Sequence, residues 1–188
     1  MPRPLLVTFV AGATGPWCIT RMTAVIGEPL PAAQRLAMIE ESATAPASAW
    51  VLRGVTSNTR YTTRAETAAL AARQQGLGRT QATCAVLIPI RKSEAWWSLA
   101  QDERRAVIEE RSRHVTIGLD YLPAVARRLH HSRDLVTDGH VEPFDFLTWF
   151  EFAPEHEGAF DEMLARLRAT EEWRFVEREA EVRLWRDA

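Results

Sequence analysis

The apolar residues between Ala82 and Trp185 switch repeatedly between a strand period and a helix period, and the order of those switches leaves few folds open. Ala82–Ile90 (ATCAVLIPI) is a nearly continuous apolar run, the mark of a strand buried on both faces, with Pro89 pointing to an edge or a bulge. Ser93–Leu99 and Ala100–Arg113 read as helical, with Asp102 and Glu103 early and Arg111 and Arg113 late, as the helix dipole prefers. Tyr121–His131 alternates as a strand, placing Val125, Arg127 and Leu129 on one face and Ala126, Arg128 and His130 on the other. Phe144–Phe152 is a further strand, and Pro154 opens a helix whose Phe160, Met163, Leu164 and Leu167 recur at helical spacing. Phe175–Trp185 closes the series with an alternating strand. The order is β-α-β-β-α-β, the ferredoxin-like pattern.

The preceding residues offer a looser version of the same elements. Leu5–Val10 and Trp17–Ile26 read as strands around a Gly-containing turn, Ala11–Pro16. A Pro-bearing connector from Gly27 to about Ser48 holds a short predicted helix, Ala33–Glu41, and Ala49–Val55 is extended before a turn at Thr56–Arg60. Thr63 with Glu66 three residues on forms a capping box for a helix running to about Gln75 and stopped by Gly76. The expected fold class is α+β, with two ferredoxin-like halves, 1–80 and 81–188, meeting near Gly78–Gln81. Sequence self-similarity between the halves is too weak to define a repeat.

Bulk properties exclude several classes of function. The 188 residues carry a formal net charge of −2, and no stretch combines clustered Lys/Arg with aromatics, which argues against nucleic acid as a partner. The apolar run Leu5–Ala13 is too short to span a bilayer and lacks a basic flank and a small-residue cleavage site, so it reads as a strand and no membrane association is expected. Two cysteines, Cys18 and Cys84, make no C-x-x-C motif, and a reducing cytoplasm is the expected compartment.

His114 is expected to end the helix that begins near Ala100, and a helix-end imidazole is a good metal or haem ligand, although a lone histidine is also an ordinary capping residue. Glu172 could accept its distal ring proton, and Lys92 could balance that carboxylate. Strand alternation puts one of Arg127 and Arg128 on the Val125–Leu129 face, where a guanidinium is expensive unless something anionic meets it. Together these residues suggest a haem iron with a histidine below and an arginine above, working on a small anion. Adjacent Trp96 and Trp97 diverge by about 100 degrees on a helix, so both are buried only where two surfaces meet: a core, a cofactor wall or a subunit interface. Other motifs carry less. Gly12-x-x-Gly15 lacks the spacing of a nucleotide loop, and His130, His131 and His140 lack partners at zinc-site spacing. Ser57 and Ser132 lack a hydrolase arrangement, and the charge-rich Glu171–Asp187 reads as a solvated strand face.

The segments VLRGVTSNTRYTTRAE (Val51–Glu66), ATCAVLIPIRKSEAWWSL (Ala82–Leu99), YLPAVARRLHHS (Tyr121–Ser132), DFLTWFEF (Asp145–Phe152) and LRATEEWRFVERE (Leu167–Glu179), with the N-terminal FVAGATGPW (Phe9–Trp17), resemble the chlorite dismutase family, in particular its short-chain dimeric lineage. The resemblance implies a dimeric α/β-barrel arrangement of antiparallel sheets, a homodimer, and haem b bound in the C-terminal half. It implies conversion of chlorite to chloride and dioxygen through ferryl and hypochlorite recombination. It makes His114 the proximal iron ligand, with Glu172 (less readily Glu171) as its hydrogen-bond partner and Lys92 in the same network. Arg127 becomes the distal arginine, with Gln74 the glutamine that can hold it. Trp96 would wall the haem, Asn58, Tyr61 and Trp97 would lie near its propionates, and Ile88 and Leu122 would contact the ring. The chain lacks the long N-terminal half and signal peptide of the pentameric lineage, and Val136–Pro143 is longer than the usual connector, which suggests a surface loop. Coproheme decarboxylases resemble the fold but generally form pentamers and lack the distal arginine. The distal aspartate of dye-decolorising peroxidases is not evident. A haem-binding or storage protein is the alternative from another class.

Overall fold

The computed structural model describes residues 5–40, 48–137 and 139–187. In chain order the strands are β1 (Leu6–Gly12), β2 (Trp17–Ile26), β3 (Arg35–Ile39), β4 (Trp50–Thr56), then helix α1 (Arg64–Arg73) and β5 (Cys84–Lys92). Short helices α2 (Glu94–Ser98) and α3 (Gln101–Arg105) lead into a π-helical turn at Ala106–Arg111 and then α4 (His114–Asp120). The chain continues through β6 (Ala126–His131), a small hairpin of β7 (Val136–Thr137) and β8 (His140–Val141), β9 (Phe146–Phe152), α5 (Glu157–Arg168), a 3₁₀ turn at Glu171–Phe175, and β10 (Val176–Trp185).

Eight of these strands close into one barrel in the order β1-β3-β2-β10-β5-β9-β6-β4, every pairing antiparallel. Within it, β4-β1-β3-β2 and β10-β5-β9-β6 are two contiguous sets with the same internal order, fourth-first-third-second, which is the ferredoxin-like arrangement written twice. Closure removes the sheet edges that an open ferredoxin-like sheet would expose. The barrel interior is filled from both sets by Phe9, Trp17, Leu36, Leu52, Leu87, Leu147, Trp149 and Val182 among others. A second apolar layer lies outside the barrel, where Phe160, Met163, Leu164 and Leu167 of α5 pack on Val86, Ile88, Phe150 and Phe152 of β5 and β9.

Several expectations are corrected. The segment read as helix Ala33–Glu41 forms β3 over Arg35–Ile39 (Glu41 lies outside the described residues), because Leu36 inserts fully buried between Ala11 of β1 and Trp17 of β2. Tertiary pairing overrides helix propensity there. The turn before β2 crosses over β3, and Gly15 (φ +142°) makes that possible, since a Cβ on it would sit 2.5 Å from the Leu36 carbonyl carbon. Pro89 is on no edge: β5 pairs on both sides, and the β10 partners skip from Ile90–Glu179 to Leu87–Val182 around it. The C-terminal charges are not a solvated face either. Glu172, Glu179 and Glu181 are buried, and Arg168 of α5 reaches the last two at 2.5 and 2.8 Å. The long connector carries the β7–β8 hairpin, tied to the barrel by the Glu142 carboxylate, which accepts the Arg53 backbone N–H at 3.0 Å. No helix among the described residues is long and apolar enough to cross a membrane.

Candidate active site

A cleft lies outside the barrel, between the outward faces of β5, β9 and β6 and the helices that cover them. Its floor is Ile88, Ile90, Thr148, Phe150, Arg127 and Leu129, residues that alternate with the barrel-facing Leu87, Trp149 and His130 on the same strands. Met163, Leu164 and Leu167 of α5, Val115 and Gly118 of α4, and Trp96 form apolar walls. Asn58, Arg60, Tyr61 and Thr62, from the segment between β4 and α1, complete the lining. The enclosed empty space is about 1010 Å³ with the open mouth included.

His114 enters this cleft by a route the sequence reading did not anticipate. It does not end a helix. The π-turn stops at Arg111, Arg113 takes a left-handed conformation (φ 54°), and His114 is the first residue of α4. Its Nδ1–H donates to Glu172 Oε2 at 2.6 Å, and Glu172 Oε1 accepts from Lys92 Nζ at 2.9 Å. Lys92 also donates to the Glu172 carbonyl at 3.3 Å and lies 4.7 Å over the Trp96 ring. Burial alone would raise the pKa of Glu172, but the Lys92 ammonium and the His114 imidazole outweigh it and hold the carboxyl well below the usual carboxylate range. The neighbouring Glu171 instead pairs with Arg111 at the surface. With Nδ1 committed to an ionised acceptor, Nε2 is the nitrogen left for the cleft.

Arg127 reaches the same cleft from β6. Its neighbour Arg128 points the other way and pairs with Glu40 at 2.6 Å, as strand alternation requires. Among the described residues no carboxylate pairs with the Arg127 guanidinium. Burial pushes its pKa down from the ordinary value, yet an arginine stays cationic at accessible pH. Gln74, the C-cap of α1, donates through Nε2 to the Arg127 carbonyl at 2.8 Å, so it holds the backbone of that residue and not its charge. Gln74 and Arg127 also line a second cavity with Asn58, Thr59, Thr67, Leu70 and Ala71.

The remaining expected site residues divide. Asn58, Tyr61, Ile88 and Trp96 line the cleft, and Asn58 Oδ1 accepts the Leu129 N–H at 2.8 Å. Trp97 does not: its Nε1–H is taken by Asp145 at 3.3 Å, its ring stacks on Phe146, and Arg104 and Arg133 cover it. Leu122, just before the turn into β6, is absent from the lining as well. Sequence reading missed Thr148, Phe150 and the α5 residues, whose apolar spacing reads equally well as core, and it missed Arg60, which joins Arg127 and Lys92 as a cation at the cleft. The tyrosine hydroxyl of Tyr61 and Nε1 of Trp96 are buried without a hydrogen-bond partner although both side chains line the cleft. Two orphaned donors, one presented imidazole and apolar walls fit a flat, largely apolar group with anionic side arms, and so fit haem.

A family model described as chlorite dismutase matches residues 21–184. The chain belongs to the chlorite dismutase family. It is 53% identical to the dimeric chlorite dismutase of Nitrobacter winogradskyi, covering 96% of this chain and 99% of that one with a TM-score of 0.87. The chlorite dismutase of Ideonella dechloratans is 32% identical over 83 residues, which are 44% of this chain but 25% of that protein. The imidazole complex of the chlorite dismutase from Candidatus Nitrospira defluvii, 19% identical over 96% of this chain and 90% of that one with a TM-score of 0.66, shares the fold.

Proposed function

We propose that this family member is a haem b-dependent chlorite O2-lyase, acting as a homodimer, and that the single observation carrying the reading is the unpaired Arg127 in the cleft to which Glu172 and Lys92 present His114. Haem bound there would supply the redox chemistry that takes chlorite to chloride and dioxygen. Its ligand from the chain is His114 Nε2. Glu172, accepting the Nδ1 proton, fixes the tautomer and makes the imidazole a stronger donor, and Lys92 keeps that carboxylate ionised. Trp96 and the apolar residues of β5, β9 and α5 would pack on the ring, while Tyr61 Oη, Trp96 Nε1, Asn58 and Arg60 can meet its carboxylates. Arg127 does the anion work. It draws chlorite into a cleft whose lining carboxylate, Glu172, is already engaged by Lys92 and His114, orients the anion, and retains a negatively charged leaving group until dioxygen forms. Gln74 and Asn58 fix the strand from which it acts. Among the described residues the N-terminal half, 1–80, contributes Asn58, Arg60, Tyr61 and Thr62 to the lining, and the C-terminal half, 81–188, would hold the cofactor.

An oxygen electrode with chlorite tests this directly. Haem-loaded protein is expected to release one dioxygen per chlorite, and Arg127→Ala to keep its haem spectrum while losing most turnover. Oxygen yield in that variant equal to the parent's would overturn the role of Arg127. Decarboxylation of coproheme with peroxide, without dioxygen from chlorite, would overturn the reading as a whole.

A further inference from the structure

The His114–Glu172 pair is gripped at both ends by residues that neither line the cleft nor belong to the pair. The N-terminal amides of α4 are not capped by the preceding Arg113, whose side chain makes no cap bond. They are capped by Glu109, three residues inside the π-turn: its carboxylate accepts Val115 N at 2.7 Å and Thr116 N at 3.3 Å, and the Thr116 hydroxyl as well. On the other side Ser112, almost wholly buried, accepts the backbone N–H of Glu172 at 2.9 Å through Oγ. Residues 112 and 114 therefore hold the same glutamate, one by its main chain and one by its carboxylate. Between them sits the left-handed Arg113, a conformation that costs a non-glycine residue free energy and that persists only where its surroundings dictate it.

We propose that Glu109 and Ser112 are positioning residues that lock the His114 imidazole in register with Glu172, so that one ring tautomer and one ring angle are presented to the cleft. The role rests on the reading of His114 as the haem ligand. Glu109 fixes where α4 starts, and hence the Cα of His114. Ser112 fixes where the 3₁₀ turn carrying Glu172 lies against it. A Glu four residues before the N-cap takes the part that Ser, Thr, Asp or Asn ordinarily plays at the cap itself, its carboxylate reaching across the left-handed Arg113 to the first amides of α4.

The test compares Ser112→Ala, Glu109→Ala and the acceptor-retaining Glu109→Gln with Gly15→Ala, whose strain lies at the β3 crossing away from the cleft. Two measurements are read: exchange of the His114 Nδ1 proton by ¹⁵N-histidine NMR on the haem-free chain, and haem affinity with the iron–histidine stretching frequency on the loaded, reduced protein. Ser112→Ala and Glu109→Ala are expected to speed the ring-proton exchange, to lower the stretching frequency and to weaken haem binding about tenfold, the low end of what outer partners of a metal ligand contribute. Glu109→Gln should restore most of each signal, and Gly15→Ala should move none of them despite its lower melting temperature. Ring-proton exchange and stretching frequency unchanged in both alanine variants would overturn the proposal. Failure of the parent chain to take up haem would instead overturn the ligand reading, and the NMR comparison would still decide the roles of Glu109 and Ser112.

Discussion

Lys92 and Glu172 show how one buried pair can be both a liability and a device. Their side chains are 3% and 7% exposed and 2.9 Å apart, so neither charge can be relieved by water. Removing one partner, as in Lys92→Met, leaves an uncompensated buried carboxylate and should cost about 3–5 kcal/mol in urea unfolding. Glu172→Gln should cost a similar amount, and the double variant less than the two costs together, because it removes both charges; strict additivity would show that the pair is not coupled. The sequence offered both residues as candidates, and it offered Glu171 with them. Only the fold separates the two glutamates, by turning one into the cleft and the other toward Arg111 at the surface. Gly15 is a residue whose importance no spacing announces. Gly15→Ala combines a left-handed backbone with a Cβ overlapping the Leu36 main chain, and should lower stability by about 2–4 kcal/mol without changing haem uptake.

Among the elements, those with strong periodicity were legible. The boundaries of β2 follow Trp17–Ile26 as read, the four apolar positions of α5 are the ones buried, and the Thr63–Glu66 capping box forms, Glu66 N–H donating to Thr63 Oγ1 at 3.2 Å and Thr63 N–H to Glu66 Oε2 at 2.7 Å. Thr63→Ala should therefore destabilise by about 1 kcal/mol. Because α1 ends at Gln74, it should also loosen Arg127, seen as weaker chlorite affinity (a higher KM at little changed kcat). An unchanged KM would confine the cap to stability. The segment Ala100–Arg113 was legible as helical but not as interrupted. Its charges suit one continuous helix, whereas the chain breaks at a π-turn and a left-handed Arg113 flanked by the hydrogen bonds of Glu109 and Ser112, which no periodicity announces. The helix-terminus argument for His114 consequently failed: the environment of its ring is set by Glu172, 58 positions away in sequence.

At the scale of the whole molecule, barrel closure buries a histidine that local sequence marks as polar. His130 is fully buried with Nδ1 2.9 Å from the Leu147 carbonyl, and burial pulls its pKa down from 6.5 to about 4. His131 is shifted the same way. A histidine held neutral in the fold binds its proton first in the unfolded chain, so its contribution to stability is complete above about pH 6.5 and is lost as pH falls toward 4. Glu172, held ionised, loses its contribution in the same direction at lower pH. Stability should thus fall by about 2 kcal/mol from His130 alone between pH 7 and pH 5, and urea titrations of His130→Asn should show that much less pH dependence. An equal slope in both proteins would assign the acid sensitivity elsewhere. The sequence by itself determined the β-α-β-β-α-β order of its C-terminal half and the alternation along those strands, since these follow from local periodicity and steric preference. It also singled out Arg127 as a costly charge on an apolar face, and His114, Glu172 and Lys92 as a possible ligand and its partners. Tertiary structure decided β3, the broken helix before His114, which glutamate meets it, the outward turn of Trp97 and the burial of the C-terminal acids. Each of those depends on contacts between residues far apart in the chain, where packing and charge pairing outweigh the local preference of any segment.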